Sequence, residues 1–299
     1  MKIAVTGAFS YSGKYITKRL LERGEEVITL TGHPNRPDPF NGQVKAYSLD
    51  FDEAGMTKSL QGVEALVNTY WVRFDKGGNT QPQAVQNTQT LVNAAKAAGV
   101  KRIVHISIAN PSAESHLPYY WGKAANEKAV IESGLSYAIL RPTVLVGRED
   151  ILINNIAFLL RRFPVFFIPG DGSYGIQPVF VKDLADLAVE GVYSKENYVS
   201  DAVGPDSYTF KELVQLIGET IGAKRLLVSV PPRLALLAAQ FLSLFVNDVI
   251  LTPEEVDGLM ANLLVSKEPA RGKTYFKEWL NDNRETVGMK YASELQRHF

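Results

Sequence analysis

The chain has 299 residues, 45% of them hydrophobic and 21% charged, and its 32 basic and 32 acidic side chains cancel to a formal net charge of zero. That balance excludes long disorder and offers no basic excess with which to hold nucleic acid as a main partner. The lack of cysteine excludes thiolate chemistry and a disulfide-stabilised secreted scaffold.

The apolar run Ile3 to Val5 predicts a buried strand at the very start, which leaves no room for a signal peptide and makes the cytoplasm the expected compartment. Gly7 breaks the run, and Ile16, Leu20 and Leu21 return at helical spacing before Gly24. Strand, glycine turn and helix in this order open a nucleotide-binding βαβ unit, whose turn N–H groups and helix N-terminus face a pyrophosphate. Gly7 and Gly13 occupy the outer positions of the glycine fingerprint, with Ser10, Tyr11 and Ser12 between them. Ser10 stands where the fingerprint has its middle glycine and puts a Cβ where backbone would meet phosphate, so its hydroxyl is expected to donate there instead. A ligand-free core element is the structural alternative.

Glu26 to Thr31 predicts a second strand, followed by Thr31-Gly-His-Pro-Asn-Arg36 with no carboxylate until Asp38. An NAD site usually has an acidic residue here for the ribose 2′-hydroxyl, whereas His33 and Arg36 suit a 2′-phosphate, so NADP is the expected cofactor and NAD the alternative. Val44 to Leu49 reads as a third strand leading to Asp50-Phe51-Asp52. There Asp50 can accept from an adenine amino group, Phe51 can lie against the ring and Asp52 can cap a helix. Glu64 to Tyr70 is the fourth strand and Gln83 to Ala98 a long helix stopped by Gly99. The alternation predicts an α/β fold with a doubly wound, mostly parallel sheet.

Lys101 to Ser107 is the fifth strand, with Ser107 at its carboxyl end, where ligands bind in such sheets. Pro118 opens a helix in which Tyr119 and Lys123 lie four residues apart on one face. A nearby ammonium favours a phenolate, and a serine hydroxyl can hold a substrate oxygen. Taken alone the pair fits a surface Tyr packed on a Lys stem equally well.

Thr6-Gly7-Ala8 with Gly13, Asp50-Phe51, Ser107, Tyr119 with Lys123, Leu140-Arg141-Pro142 and the run Gln177 to Ala185 stand in a telling order. It resembles that of the extended and atypical short-chain dehydrogenase/reductases, the epimerase/dehydratase-like NAD(P)-binding proteins. That branch also includes NmrA-like redox sensors and the nucleotide-binding accessory subunit of respiratory complex I. The resemblance covers about the first 220 residues. It implies a Rossmann fold in which Tyr119 is the acid/base, Lys123 holds the ribose and lowers the Tyr pKa, and Ser107 orients the carbonyl. Ser10 departs from the family's central glycine.

Leu135 to Leu140 predicts a sixth strand, and Arg141 to Gly147 leads into a smaller, mainly helical substrate lobe. The expected division is a dinucleotide-binding domain over 1–145 with a return helix over 179–195, and a substrate lobe over 146–178 and 196–299. Asn154 and Asn155 read as cleft amides or as a cap. The phenylalanines of Phe163 to Ile168 read as core. Helices are expected over Phe210 to Ile221, Glu254 to Leu264, Tyr275 to Asn283 and Tyr291 to Phe299, and a strand over Leu226 to Val230. Leu234 to Val246 is apolar but too short for a spanning helix, and is expected to be buried or to form a homodimer or protein-partner surface.

His33, His105, His116 and His298 lack metal-ligand spacing, and neither a Gly-x-Ser-x-Gly elbow nor a P-loop is present. The expected function is therefore that of an NAD(P)-dependent oxidoreductase acting on a small-molecule carbonyl/alcohol pair, including epimerase or dehydratase chemistry on a nucleotide-sugar. The alternative from another class is a nucleotide-binding sensor or accessory subunit docked on a partner.

Overall fold

The computed structural model describes residues 1–33, 35–73, 75, 77–246 and 248–293. The chain begins β1 (Lys2–Thr6), α1 (Tyr11–Glu22), β2 (Glu26–Thr31), β3 (Lys45–Ser48), α2 (Glu53–Ser59), β4 (Ala65–Asn68), α3 (Gln81–Ala97) and β5 (Arg102–Ile106). It continues through α4 (Pro118–Glu132), β6 (Ser136–Pro142), β7 (Val144–Val146), α5 (Leu152–Arg162), β8 (Val165–Pro169), β9 (Gly175–Ile176) and β10 (Pro178–Phe180). After α6 (Val181–Tyr193) and β11 (Tyr198–Ala202) come β12 (Tyr208–Thr209), α7 (Phe210–Thr220), β13 (Leu226–Val230), α8 (Pro232–Val246), α9 (Pro253–Met260) and α10 (Phe276–Asn283).

Two compact units result: residues 1–142 with 181–202, and residues 143–180 with 203–299. In the first, seven strands pair in the order β11-β6-β5-β4-β1-β2-β3, every pair parallel. The strands are nearly continuous apolar runs because helices cover both faces of a parallel sheet. Ala4, Leu30, Leu66, Ile103 and Ile139 are buried with Leu91 and Val92 of α3 and Met56 of α2 in one cluster. The strand order reverses between β1 and β4, so the crevice outside their carboxyl ends is the place for a ligand in such a sheet. β11 pairs with β6, which carries the returning segment of this unit on to Ala202, beyond the expected return helix.

The second unit packs α5, α7 and α10 around Ile153, Ile156, Leu160, Leu213, Ile217 and Leu280. Three two-stranded sheets, β10-β7, β12-β9 and β13-β8, accompany these helices; β13 is the strand expected over Leu226 to Val230 and β8 falls on a short strand expected over Phe163 to Ile168, whereas β7, β9, β10 and β12 were passed over. In β8 alternate residues face opposite ways, so Phe166 joins the core while Phe167 is 47% exposed; Phe163, just before the strand, is also exposed. The expectation that all these phenylalanines are core is corrected accordingly. In α8 Ala235 and Ala239 are buried while Leu234, Leu237 and Phe241 are exposed, so of the two expectations for this helix the fully buried one does not hold. No helix among the described residues is long and apolar enough to cross a membrane. Of the expected helix over Tyr291 to Phe299, residues 291–293 have no regular structure, and 294–299, His298 included, lie outside the described residues.

Candidate functional site

Gly7 ends β1 at φ +65°, a left-handed conformation that glycine adopts without strain. A Cβ added at Gly13 would lie 2.2 Å from the Gly7 carbonyl oxygen, so the first turn of α1 rests directly on the strand end. Ser10 begins the helix, its N–H donating to Gly7 O at 2.8 Å and its hydroxyl to the same oxygen at 2.5 Å. The hydroxyl therefore turns inward under the turn. No side chain caps α1 and no acidic residue stands in its first turn, where Tyr11, Ser12 and Gly13 lie. Helix geometry leaves these first N–H groups without intrahelical acceptors, and the end of the helix carries partial positive charge.

After β2, the His33 N–H donates to Thr31 Oγ1 and the Arg36 N–H to His33 O, folding the two side chains into one turn. The first carboxylate beyond them, Asp38, accepts from Phe40 N at 2.7 Å and Gly42 N at 2.6 Å and is committed to its own loop. Asp50 accepts from Ser48 Oγ and Asp52 N; the Asp52 amide first, then the Ser48 hydroxyl, hold its carboxyl below the usual range. Phe51 has φ +61°, a costly conformation for an aromatic residue, and its ring centroid lies 4.8 Å from that of Tyr70.

Thr6 ties β4 to β1: its hydroxyl accepts from Thr69 N and Tyr70 N and donates to Asn68 Oδ1. This anchors the segment that presents Trp71. The Trp71 ring meets the Tyr119 ring edge-on with centroids 5.7 Å apart and lies 4.9 Å from Lys123 Nζ. Gly122 permits the approach, since a Cβ there would be 2.5 Å from Trp71 Cη2. Lys123 is 3% exposed, and its ammonium donates to Ile106 O at 3.0 Å. Burial pushes this amine down to about 7, against the raising influence of the Glu127 charge.

Ser107, directly after β5, does not present an uncommitted hydroxyl. Its Oγ donates to Glu127 Oε1 at 2.5 Å, and Arg141 grips the same carboxylate with Nε at 2.9 Å on Oε1 and Nη2 at 2.6 Å on Oε2. Hydrogen bonding to Glu127 raises the Arg141 guanidinium above its usual value, so Arg141 keeps its charge. Tyr119, Lys123 and Glu127 follow at four-residue intervals and share one face of α4. The structure thus gathers Tyr119, Lys123 and Trp71 in one cluster, and Ser107, Glu127 and Arg141 in another linked through α4. Glu127 and Trp71 were missed in the sequence; the only signal for Glu127 was its spacing from Lys123.

His105 is buried beside this site and accepts at Nδ1 from Asn68 Nδ2 at 3.1 Å, with the proton on Nε2. Burial, with the Lys123 charge adding, pushes it down to about 3, so it stays neutral and structural. In the second unit, Asn154 Oδ1 accepts from Gly288 N and Asn155 both donates to and accepts from the Ala292 backbone. These amides hold the chain's last described stretch; they lie within α5, whose N-cap is Ile151, and cap no helix. Among the described residues no cluster of side chains has the make-up of a metal site.

Residues 7–154 match the family described as NAD(P)H-binding. This match, with the relatives and solved structures, supports the extended and atypical short-chain dehydrogenase/reductase family for the chain. A curated relative is the mitochondrial NADH dehydrogenase [ubiquinone] 1 alpha subcomplex subunit 9 of Arabidopsis thaliana. It is 24% identical over 282 residues, covering 88% of this chain and 70% of that protein. Among solved structures, the NADPH-dependent quinone oxidoreductase of Escherichia coli complexed with NADPH superposes with a TM-score of 0.73 at 21% identity, covering 97% of each chain. MoeE5 in complex with UDP-glucose and NAD gives 0.71 at 19% identity, covering 95% of this chain and 98% of that one. The structural likenesses establish the fold, and the family match places an NAD(P)H-binding domain over residues 7–154.

Proposed function

We propose that this protein is a dinucleotide-dependent oxidoreductase that prefers NADP(H) and interconverts a small-molecule carbonyl and its alcohol. The observation that carries the reading is the β1–α1 turn, where only a glycine at position 13 lets the uncapped, acid-free end of α1 close on Gly7. Such a terminus suits a pyrophosphate. Gly7, Ser10, Tyr11, Ser12 and Gly13 would hold it, His33 and Arg36 the 2′-phosphate, Asp50 and Phe51 the adenine, and Lys123 the nicotinamide ribose. Engagement of Asp38 in its own loop removes the nearest competing carboxylate and supports NADP over NAD. The bound dinucleotide supplies hydride chemistry. Tyr119 then carries the proton at its phenol oxygen, Lys123 favours the phenolate, and Ser107 holds the substrate oxygen.

The UDP-glucose and NAD of the MoeE5 complex support nucleotide-sugar epimerase or dehydratase chemistry as a variant of the same reading. A second class, a nucleotide-binding sensor or accessory subunit, draws support from the burial of Lys123 under Trp71, from the commitment of Ser107 to Glu127, and from the complex I relative. Leu234, Leu237 and Phe241 would then meet a partner or a second copy. Titration of NADPH, NADP⁺, NADH and NAD⁺ into the protein tests the cofactor. Turnover of carbonyl substrates abolished by Tyr119→Phe with cofactor affinity kept supports the enzyme, and binding without turnover in either form supports the sensor.

A further inference from the structure

A hydroxyl has one proton to donate. Ser107 places its proton on Glu127 at 2.5 Å, and Glu127 has none to offer in return, because both of its oxygens already accept from Arg141. Glu127 is 5% exposed and Ser107 4% exposed, so water does not compete freely for either. Around this hydroxyl only lone pairs remain, and a group that meets it must bring its own proton.

We propose that Glu127 is a positioning residue that fixes Ser107 as a hydrogen-bond acceptor, so that the site receives the alcohol form of its substrate, or another hydroxyl or amide donor, in preference to a carbonyl oxygen. The inference rests on the oxidoreductase reading for the identity of the ligand, and on the Ser107–Glu127–Arg141 geometry alone for its polarity. A carbonyl would require Ser107 to turn from Glu127 and give up a charge-assisted bond, whereas an alcohol O–H adds to the network as it stands.

Glu127→Ala removes the acceptor altogether. Ser107 loses the group that holds its proton, and Arg141, whose side chain is 31% exposed, can turn to water. The serine hydroxyl is then free to donate as well as accept, and the preference for the alcohol is lost.

The test uses the full chain with NADP⁺ and two probes of one skeleton, cyclohexanol and cyclohexanone, competing in saturation-transfer NMR. The wild type is expected to favour the alcohol by about tenfold, Glu127→Ala to lose that ratio, and Ser107→Ala to abolish it. Equal binding of both probes by the wild type, or a ratio unchanged in Glu127→Ala, overturns the proposal. A second reading needs no ligand and guards against an unfolded or non-binding variant. The short Ser107–Glu127 bond should give a downfield, slowly exchanging hydroxyl proton that vanishes in Ser107→Ala, a mild substitution. Its absence from the wild type overturns the proposal whatever the probes do. Failure of every dinucleotide to bind, with that resonance present, overturns the oxidoreductase reading and leaves the polarity of Ser107 intact.

Discussion

The Gly7 carbonyl oxygen and Gly13 stand so close that a Cβ on Gly13 would come within 2.2 Å of it. The contact is backbone against backbone, so neither side can yield by turning a side chain. Gly13→Ala is expected to lever α1 away from β1 and to cost about 1–3 kcal/mol as an overpacked site. Denaturant unfolding should register the loss, and dinucleotide titration should show weakened binding of all four cofactor forms together, because the pyrophosphate cradle rather than the specificity loop is disturbed.

Cofactor choice turns on a different loop. Arg36→Ala should reduce affinity for NADPH by about tenfold or more while leaving NADH affinity nearly unchanged, since only the former carries the 2′-phosphate. Calorimetric titration of both cofactors into both proteins gives the comparison. Equal losses for NADH and NADPH would place the 2′-phosphate elsewhere.

Lys123 makes the fold sensitive to pH in a defined direction. Its amine is held near 7 in the folded chain against 10.5 ordinarily, so the unfolded chain binds the extra proton between those values. Stability contributed by this group is lowest below about 7 and rises through the window up to about 10.5, by roughly 1.4 kcal/mol per pH unit at most. Lys123→Met removes the buried charge and should flatten that portion of the curve. Urea unfolding of both proteins across the window measures the difference, and parallel curves would refute it.

Gly122 and Trp71 offer a way to uncover the same amine. Gly122→Ala places a methyl 2.5 Å from the present position of Trp71 Cη2, and the indole edge must swing outward. The expected result is a red-shifted tryptophan emission together with faster acylation of Lys123 by an amine-reactive reagent, read by peptide mass mapping. Unchanged labelling would mean that Ile106 O, rather than the indole, shields the amine.

Most of the dinucleotide-binding unit was legible in the sequence because a parallel sheet writes itself as short apolar runs separated by glycine-stopped helices. Leu226 to Val230 was legible for a similar reason. The short pairs β7 with β10 and β9 with β12 were not, since each strand has two or three residues and gains its identity only from a partner far along the chain. In the site, Gly7, Gly13, Tyr119 and Lys123 could be read from spacing. Glu127 could not, because its role depends on Arg141 and Ser107, which approach from β6 and the end of β5. Trp71 was hidden in the same way: nothing local announces that its ring lies on Gly122 and Lys123.

The stretch from Arg284 to Ala292 is held chiefly by its main chain. Arg161 donates to Val287 O and Arg284 O, Arg162 to Gly288 O and Met289 O, and Asn155 to Ala292 O. What α5 grips here is chiefly a spacing of carbonyls, with three positions fixed besides: Val287 is buried in the core of the second unit, the Tyr291 ring lies edge-on to Phe158, and a Cβ on Gly288 would strike Ala157 at 2.5 Å. Evolution is free to rewrite the exposed letters between them. A single inserted or deleted residue, by contrast, would put every carbonyl out of step with its donor.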